Sequence, residues 1–268
     1  MKLPLASFLC AAALSAQVPK PETSQAFDCY VASAEGRMRS AAAFLAADAR
    51  ADLREQLVRG RKVVTFPANG PNPHKLPGGL LYDWTGAVFV PGVTLGRTLR
   101  MLQDYGHRVR YFSEMVSASK LLCRSGDRHF GSSLTMKEPA AIETDADVVW
   151  EQVDPHRWTL RSFSTRVHEI GGQHNYLLRV NSFWRFAETD QGVFVQAEYI
   201  TLSGEFGSLL RTLGSIAGIN PEKSLRKTLE QMRESLLDPR LEPERPPEGV
   251  PACGEPYRVP ACPASAAR

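Results

Sequence analysis

The 268-residue sequence lacks the short motifs that usually announce catalysis. There is no Gly-x-Ser-x-Gly elbow to expose a nucleophile, no glycine-rich loop to cradle a phosphate, and no dinucleotide fingerprint. No Cys-x-x-Cys occurs, which removes the ligand spacing of redox dithiols and zinc ribbons. Beyond the N-terminus no apolar run reaches the roughly 20 residues that a membrane-spanning helix needs. The formal net charge is only +3 and the basic residues are scattered, so the electrostatic footprint of a nucleic-acid binder is missing. What remains is a chain with 43% hydrophobic and 23% charged residues, ordinary for a globular protein. It is long enough for one large domain with appendages.

Two polar groupings stand against that background. His168-Glu169-Ile170-Gly171-Gly172-Gln173-His174 has the residue types of a zinc-protease motif. Its histidines are six positions apart, not the four that put both on one helix face, and Gly171-Gly172 signals a turn. Strand-end polar residues are the better reading, so neither a metal nor a cofactor is expected. Asp104, His107 and Tyr111 fall at helical spacing and suggest either an acid/base cluster or the solvated cap of a short helix. The cap is the reading adopted.

The first residues read as a processing signal: Met1-Lys2, an apolar run from Leu3 to Leu14, and small residues around Ala11–Ala16. Residues 1–16 are therefore expected to be cleaved and the protein to be periplasmic or secreted. Cys29, Cys123, Cys253 and Cys262 would remain. In an oxidising compartment they permit pairing, with three possible connectivities. Cys253 and Cys262 flank a short Pro- and Gly-containing loop and are the expected couple, leaving Cys123 as a buried small hydrophobe in a strand.

Apolar residues recur every three or four positions from residue 22 to 58, the stripe of an amphipathic helix. A short strand is expected over 62–66, and a Pro/Gly/Asn loop over 68–79. A strand follows at 80–90, then two short helical elements at 94–103 and 107–112. Strands are expected at 117–123, 129–137, 148–153, 158–170, 176–187 and 193–202, with turns at Ser125-Gly126-Asp127, Asp154-Pro155 and Gly171-Gly172. Helical periodicity returns over 205–217 and 221–237, where Leu225, Leu229, Met232 and Leu236 form a stripe and Pro221 suits the first turn. In the last hairpin, pairing Trp184 with Val195 and Ser182 with Ala197 gathers the apolar residues on one face. Arg179, Asn181, Arg185, Gln196 and Glu198 then share the other, which meets solvent or the docked N-terminal helix.

One strand, two small helices, an uninterrupted run of strands and a long C-terminal helix make up the order of the helix-grip fold. Over residues 79–237 the chain resembles the START-like (SRPBCC) superfamily. Local wording agrees: Leu102-Gln103-Asp104-Tyr105 before Tyr111-Phe112, the Trp184-Arg185-Phe186 strand, and Pro221-x-x-Ser224-Leu225-x-x-Thr228-Leu229. The expected fold is α+β, a curved antiparallel sheet wrapped around the C-terminal helix. Residues 17–78 add an extra helix and connecting loop, and residues 238–268 a Pro-rich tail. The resemblance implies an apolar cavity between sheet and last helix and transfers no catalytic residue. The candidate ligand-binding residues are Tyr82, Trp84, Tyr111, Phe163, Ser182, Trp184 and Tyr199. The function expected is binding of a hydrophobic small molecule or lipid without catalysis. A cyclase- or hydrolase-like enzyme, for which Asp83, His107 or Tyr111 would point inward, is the alternative, as is an interaction module with a solid core.

Overall fold

The computed structural model describes residues 19–137, 141–171, 177–204, 220–244 and 249–262. The expected signal segment, the helical stretch over 205–217, His174 and Tyr176 lie outside these residues. Nine strands form one antiparallel sheet: β1 (Val64–Pro67), β2 (His74–Leu76), β3 (Gly79–Pro91), β4 (Val116–Ser125), β5 (His129–Met136), β6 (Ile142–Asp154), β7 (Arg157–Glu169), β8 (Arg179–Thr189) and β9 (Gly192–Gly204). Their order is β1-β3-β9-β8-β7-β6-β5-β4, and β2 joins β1 on the free edge of β3. The helices are α1 (Pro21–Ser40), α2 (Ala46–Ala49), α3 (Ala51–Val58), α4 (Leu95–Gln103), α5 (Arg108–Tyr111) and α6 (Pro221–Leu237). This is the helix-grip fold: strand β3, the helix pair α4–α5, the antiparallel run β4 to β9, and α6 across the sheet.

Helix α6 is positioned by its own ends and by one glycine. Asn220 caps its N-terminus, its side-chain oxygen accepting from the Lys223 N–H at 3.0 Å, and Pro221 takes the first turn, where its missing N–H costs nothing. Leu225, Leu229, Met232 and Leu236 are all 2% exposed or less. They pack in one core with Val88, Val90, Trp184, Phe186, Val195 and Ala197 of the sheet. Gly86 of β3 admits the helix. A Cβ there would lie 2.7 Å from Leu229 Cδ1 and 2.9 Å from Leu225 Cγ. At the other end Arg97 of α4 donates to the carbonyls of Leu236, Asp238 and Leu241 at 3.1, 2.8 and 3.2 Å. It thereby satisfies carbonyls that the end of a helix leaves open.

The face of the sheet away from α6 is also covered. The helical pattern over 22–58 resolves into three helices, and the sheet holds the backbone around the break between α1 and α2. Arg185 donates to the carbonyls of Met38 and Phe44 at 2.5 and 2.7 Å, and Gln196 accepts from the Ala46 N–H at 2.7 Å. The mixed-polar strand face thus meets docked helices, and its polar groups set where α1 stops. Phe27, Val31 and Ala34 of α1 pack on Leu81, Phe163, Phe183, Ile200 and Leu202. Leu45, Leu53 and Leu57 pack on Ala87, Phe89 and Phe194.

Three expectations need correction. The β8–β9 hairpin pairs Trp184 with Ala197 and Ser182 with Tyr199, two positions from the expected register. A two-residue turn at Asp190-Gln191 closes on Gly192, whose φ of +144° suits glycine. A shift of two keeps every side chain on its expected face. Residues 68–79 hold the short strand β2 as well as loop, because His74–Leu76 pairs with β3. The disulfides are Cys29–Cys262 and Cys123–Cys253, not Cys253–Cys262. The tail runs extended from β4 to α1: Arg124 N–H donates to the Pro251 carbonyl at 2.9 Å, and Tyr257 N–H to Asp147 at 3.0 Å. Each tail cysteine therefore meets the cysteine of the element beneath it.

Candidate functional site

A cavity of about 250 Å³ lies between the concave face of the sheet, the α4–α5 segment and α6. The strand register explains why space is left there. One row across the sheet reads Val148, Ser162, Ser182, Tyr199, and in it two serines sit where large apolar residues would fill the gap. Ala146 on β6 and Ser132 on β5 pair with each other and are equally small. The walls are otherwise Leu102, Phe112, Met115 and Val116 on one side, Leu134, Met136, Ile142, Val148 and Leu160 on the other, with Trp184, Phe186 and Tyr199 at the back. Pro221, Ser224 and Thr228 contribute the α6 side. The volume falls slightly below the roughly 300–1,000 Å³ of typical ligand clefts.

Among the described residues lining the cavity, Arg108 alone carries a charge. It is 9% exposed. Its Nη2 donates to the Leu102 carbonyl, its guanidinium lies 4.6 Å from the Tyr105 ring centre and 5.6 Å from that of Phe112, and its Nε has no hydrogen-bond partner. Thr201 Oγ1, also in the wall, is likewise without one. Tyr105 accepts from the Trp150 indole N–H at 3.0 Å. Burial pushes the phenol of Tyr199 up to about 12, with the Arg108 charge acting the opposite way. The phenols of Tyr105 and Tyr199, both raised by burial, are therefore neutral at neutral pH.

The sequence candidates divide between the two faces. Ser182, Trp184 and Tyr199 line the cavity, and Trp184 Nε1 donates to Ser182 Oγ at 3.0 Å. Tyr82 and Trp84 lie on the same face of β3, opposite Thr201 and Tyr199, outside the wall. Tyr111 is buried in the α6 core with its hydroxyl donating to Asp104 at 2.7 Å; burial, and then that carboxylate, hold its phenol well above the usual range. Phe163 is corrected to the opposite face, edge-on to Phe183 and Tyr257 under α1.

The Asp104–His107–Tyr111 cluster exists but faces away from the cavity. Asp104 accepts from Tyr111, from His107 Nδ1 at 2.7 Å and from the Glu244 N–H at 3.2 Å. Glu244 in turn contacts His107 Nε2 at 3.3 Å and Arg110. The cluster pins the chain after α6 onto α5. Asp83 is also turned away, fully buried beneath α1, where Tyr30 donates to it at 2.8 Å and Arg37 at 3.3 Å. Glu198 lies beside it, 3.7 Å from the same arginine. Burial and then the charge of Asp83 push its carboxyl up to about 8, and burial raises Asp83 as well. His168 sits on β7, a strand, so the helical geometry of a zinc-protease pair does not arise.

Sequence reasoning did not single out Arg108, Ser162 or Thr201, and quoted Tyr105 and Thr228 only within the motifs of the resemblance, not as site residues. The register of β7 to β9 would have found Ser162 and Thr201, since both alternate with apolar residues on the face that carries Trp184.

No family model matches the chain, and no curated protein matches it. Solved structures do. A STAR-related lipid transfer protein fragment from Xanthomonas axonopodis is 16% identical, with 62% of this chain and 97% of that one covered and a TM-score of 0.42. The human StarD13 (DLC2) lipid transfer and protein localization domain is 12% identical over 74% of this chain and 100% of that one, TM-score 0.40. The di-domain ARO/CYC BexL is 16% identical over 62% of this chain and 51% of that one, TM-score 0.39. These are likenesses of fold.

Proposed function

We propose that the protein binds an elongated apolar molecule in the cavity between the sheet and α6, and does so without transforming it. The observation that carries this reading is the wall itself. It is apolar apart from hydroxyls and one arginine, and among its described residues there is no carboxylate, histidine or cysteine to serve as acid, base or nucleophile. Of the acids and the histidine weighed for catalysis, Asp104 and His107 are engaged in the α5 clamp and Asp83 beneath α1. Export to an oxidising compartment fits the two disulfides. Among the described residues no helix is long and apolar enough to cross a membrane.

The test is to fill the cavity. Ala146→Phe and Ser162→Phe each put a ring into the void from the sheet side. Displacement of an environment-sensitive apolar fluorophore should fall at least tenfold in either variant, while the melting temperature stays near that of the parent. Unchanged fluorophore affinity in a folded, filled variant overturns the reading. Turnover of any bound compound, lost in His107→Gln or Tyr111→Phe, would also overturn it in favour of an enzyme.

A further inference from the structure

We infer that the ligand of this cavity is a single-chain amphiphile with an anionic carboxylate head, held by the guanidinium of Arg108. The inference rests on the binding reading above and specifies its ligand class. Its starting point is how this chain treats its other arginines. Arg179, whose side chain is 15% exposed, pairs with Asp28 at 3.1 Å. Arg37 reaches Asp83, and Arg97 has three carbonyls and Glu242. Arg185 has two carbonyls. Arg108 is as buried as any of these, yet among the described residues no carboxylate pairs with it, only the Leu102 carbonyl and the Tyr105 side chain bond to it, and its Nε is unanswered.

A buried charge without a counter-ion is strongly unfavourable. Stacking on Tyr105 and Phe112 offsets part of that cost through the ring quadrupoles, but it leaves the in-plane Nε donor open. A guanidinium presents those donors as a fork that matches a carboxylate with two parallel hydrogen bonds. Arg108 belongs to the cavity wall, so an anion that reached it would do so through the ligand space. Thr201 Oγ1 is a second unanswered polar atom in the same wall. The remainder is apolar apart from serine, threonine and tyrosine hydroxyls, which suits the hydrocarbon part of the same molecule. A cavity of about 250 Å³ is small for two acyl chains and a bulky head, which favours a single medium-length chain.

The experiment compares decanoate with decanol, two probes of the same chain that differ in the head group. Both are titrated by calorimetry into the full-length protein and into Arg108→Met and Arg108→Lys. In the parent protein decanoate should bind tighter than decanol by about tenfold or more, as expected when a charged hydrogen bond is gained. Arg108→Met should erase that difference while decanol binds as well as before, and Arg108→Lys should keep part of it. Equal affinities for the two probes in the parent protein overturn the assignment and leave the binding reading standing. An unchanged acid preference in Arg108→Met also overturns it, and marks the arginine as a packing residue. Failure of both probes to bind overturns the binding reading and this inference together. Should Arg108→Met not fold, the parent comparison alone decides.

Discussion

Glu198→Gln should make the protein more stable above neutral pH and leave it nearly unchanged in mild acid. Glu198 is 9% exposed on the face of β9 beneath α1. It lies in a ladder with Asp83, which is fully buried on β3. Burial, and then the negative charge of Asp83, raise its ionisation from the ordinary 4.5 to about 8; Arg37 and Arg185 oppose this and are outweighed. The groups facing the pair are thus Tyr30 and Arg37 from α1, His74 from β2, which bears on Asp83, and Arg185 from β8. Between pH 4.5 and about 8 the unfolded chain has released this proton and the folded chain still holds it. The folded state binds more protons there, so stability falls as pH rises through that window. At 1.36 kcal/mol per pH unit the loss is bounded at roughly 5 kcal/mol. Glutamine has the same shape and no proton to lose, so the variant should escape the fall. Urea unfolding from about pH 5 to about pH 9 reads it directly: the two stability curves should converge at the acid end and separate at the alkaline end. Parallel curves, or a variant less stable than the parent at the alkaline end, would refute the reasoning.

Two further outcomes follow from geometry. Gly86→Val should destabilise by about 1–3 kcal/mol, because even its Cβ falls within 2.9 Å of Leu225 and closer to Leu229; a melting temperature within error of the parent would show that α6 does not rest on β3 in this way. Cys29→Ser should lower stability by at most about 5 kcal/mol in the chain-entropy account of so long a loop. Peptide mapping without reduction should find Cys29–Cys262 and Cys123–Cys253, and a Cys253–Cys262 peptide would contradict the path of the tail.

Much of the fold was legible because burial leaves a period in the sequence. Leu225, Leu229, Met232 and Leu236 show the turn of a helix. The alternation of β8 and β9 sorted Trp184 and Ser182 from Arg185 and Asn181 correctly. Alternation fixes parity but not pairing, and a shift of two residues is invisible to it. That is why the register waited on the turn at Asp190-Gln191. Phe163 was misplaced for a related reason. It shares its parity with Val167, but a bulge between Ser164 and Arg166 on β7 exchanges the faces. Val167 pairs with Thr144 of the cavity wall, while Phe163 faces α1. The segment around Arg108 gave no warning at all. Arg108 and Arg110 sit in the same four-residue helix, and no spacing rule says that the first is buried and the second paired with Glu244 at the surface. The cysteines were read by their nearness in sequence, whereas an extended tail carries neighbours apart.

That tail has a consequence for the chain as a covalent object. Cys29 lies in the middle of α1 and Cys262 in the tail, so the bond between them closes most of the sequence into a ring. Cys123–Cys253 draws a chord across that ring. A single backbone cut anywhere between residues 29 and 262 therefore opens the ring without dividing it. Both products stay joined, with α1 still fastened over its sheet. Nicked protein would migrate as one species until a reductant was added, and only then separate into fragments.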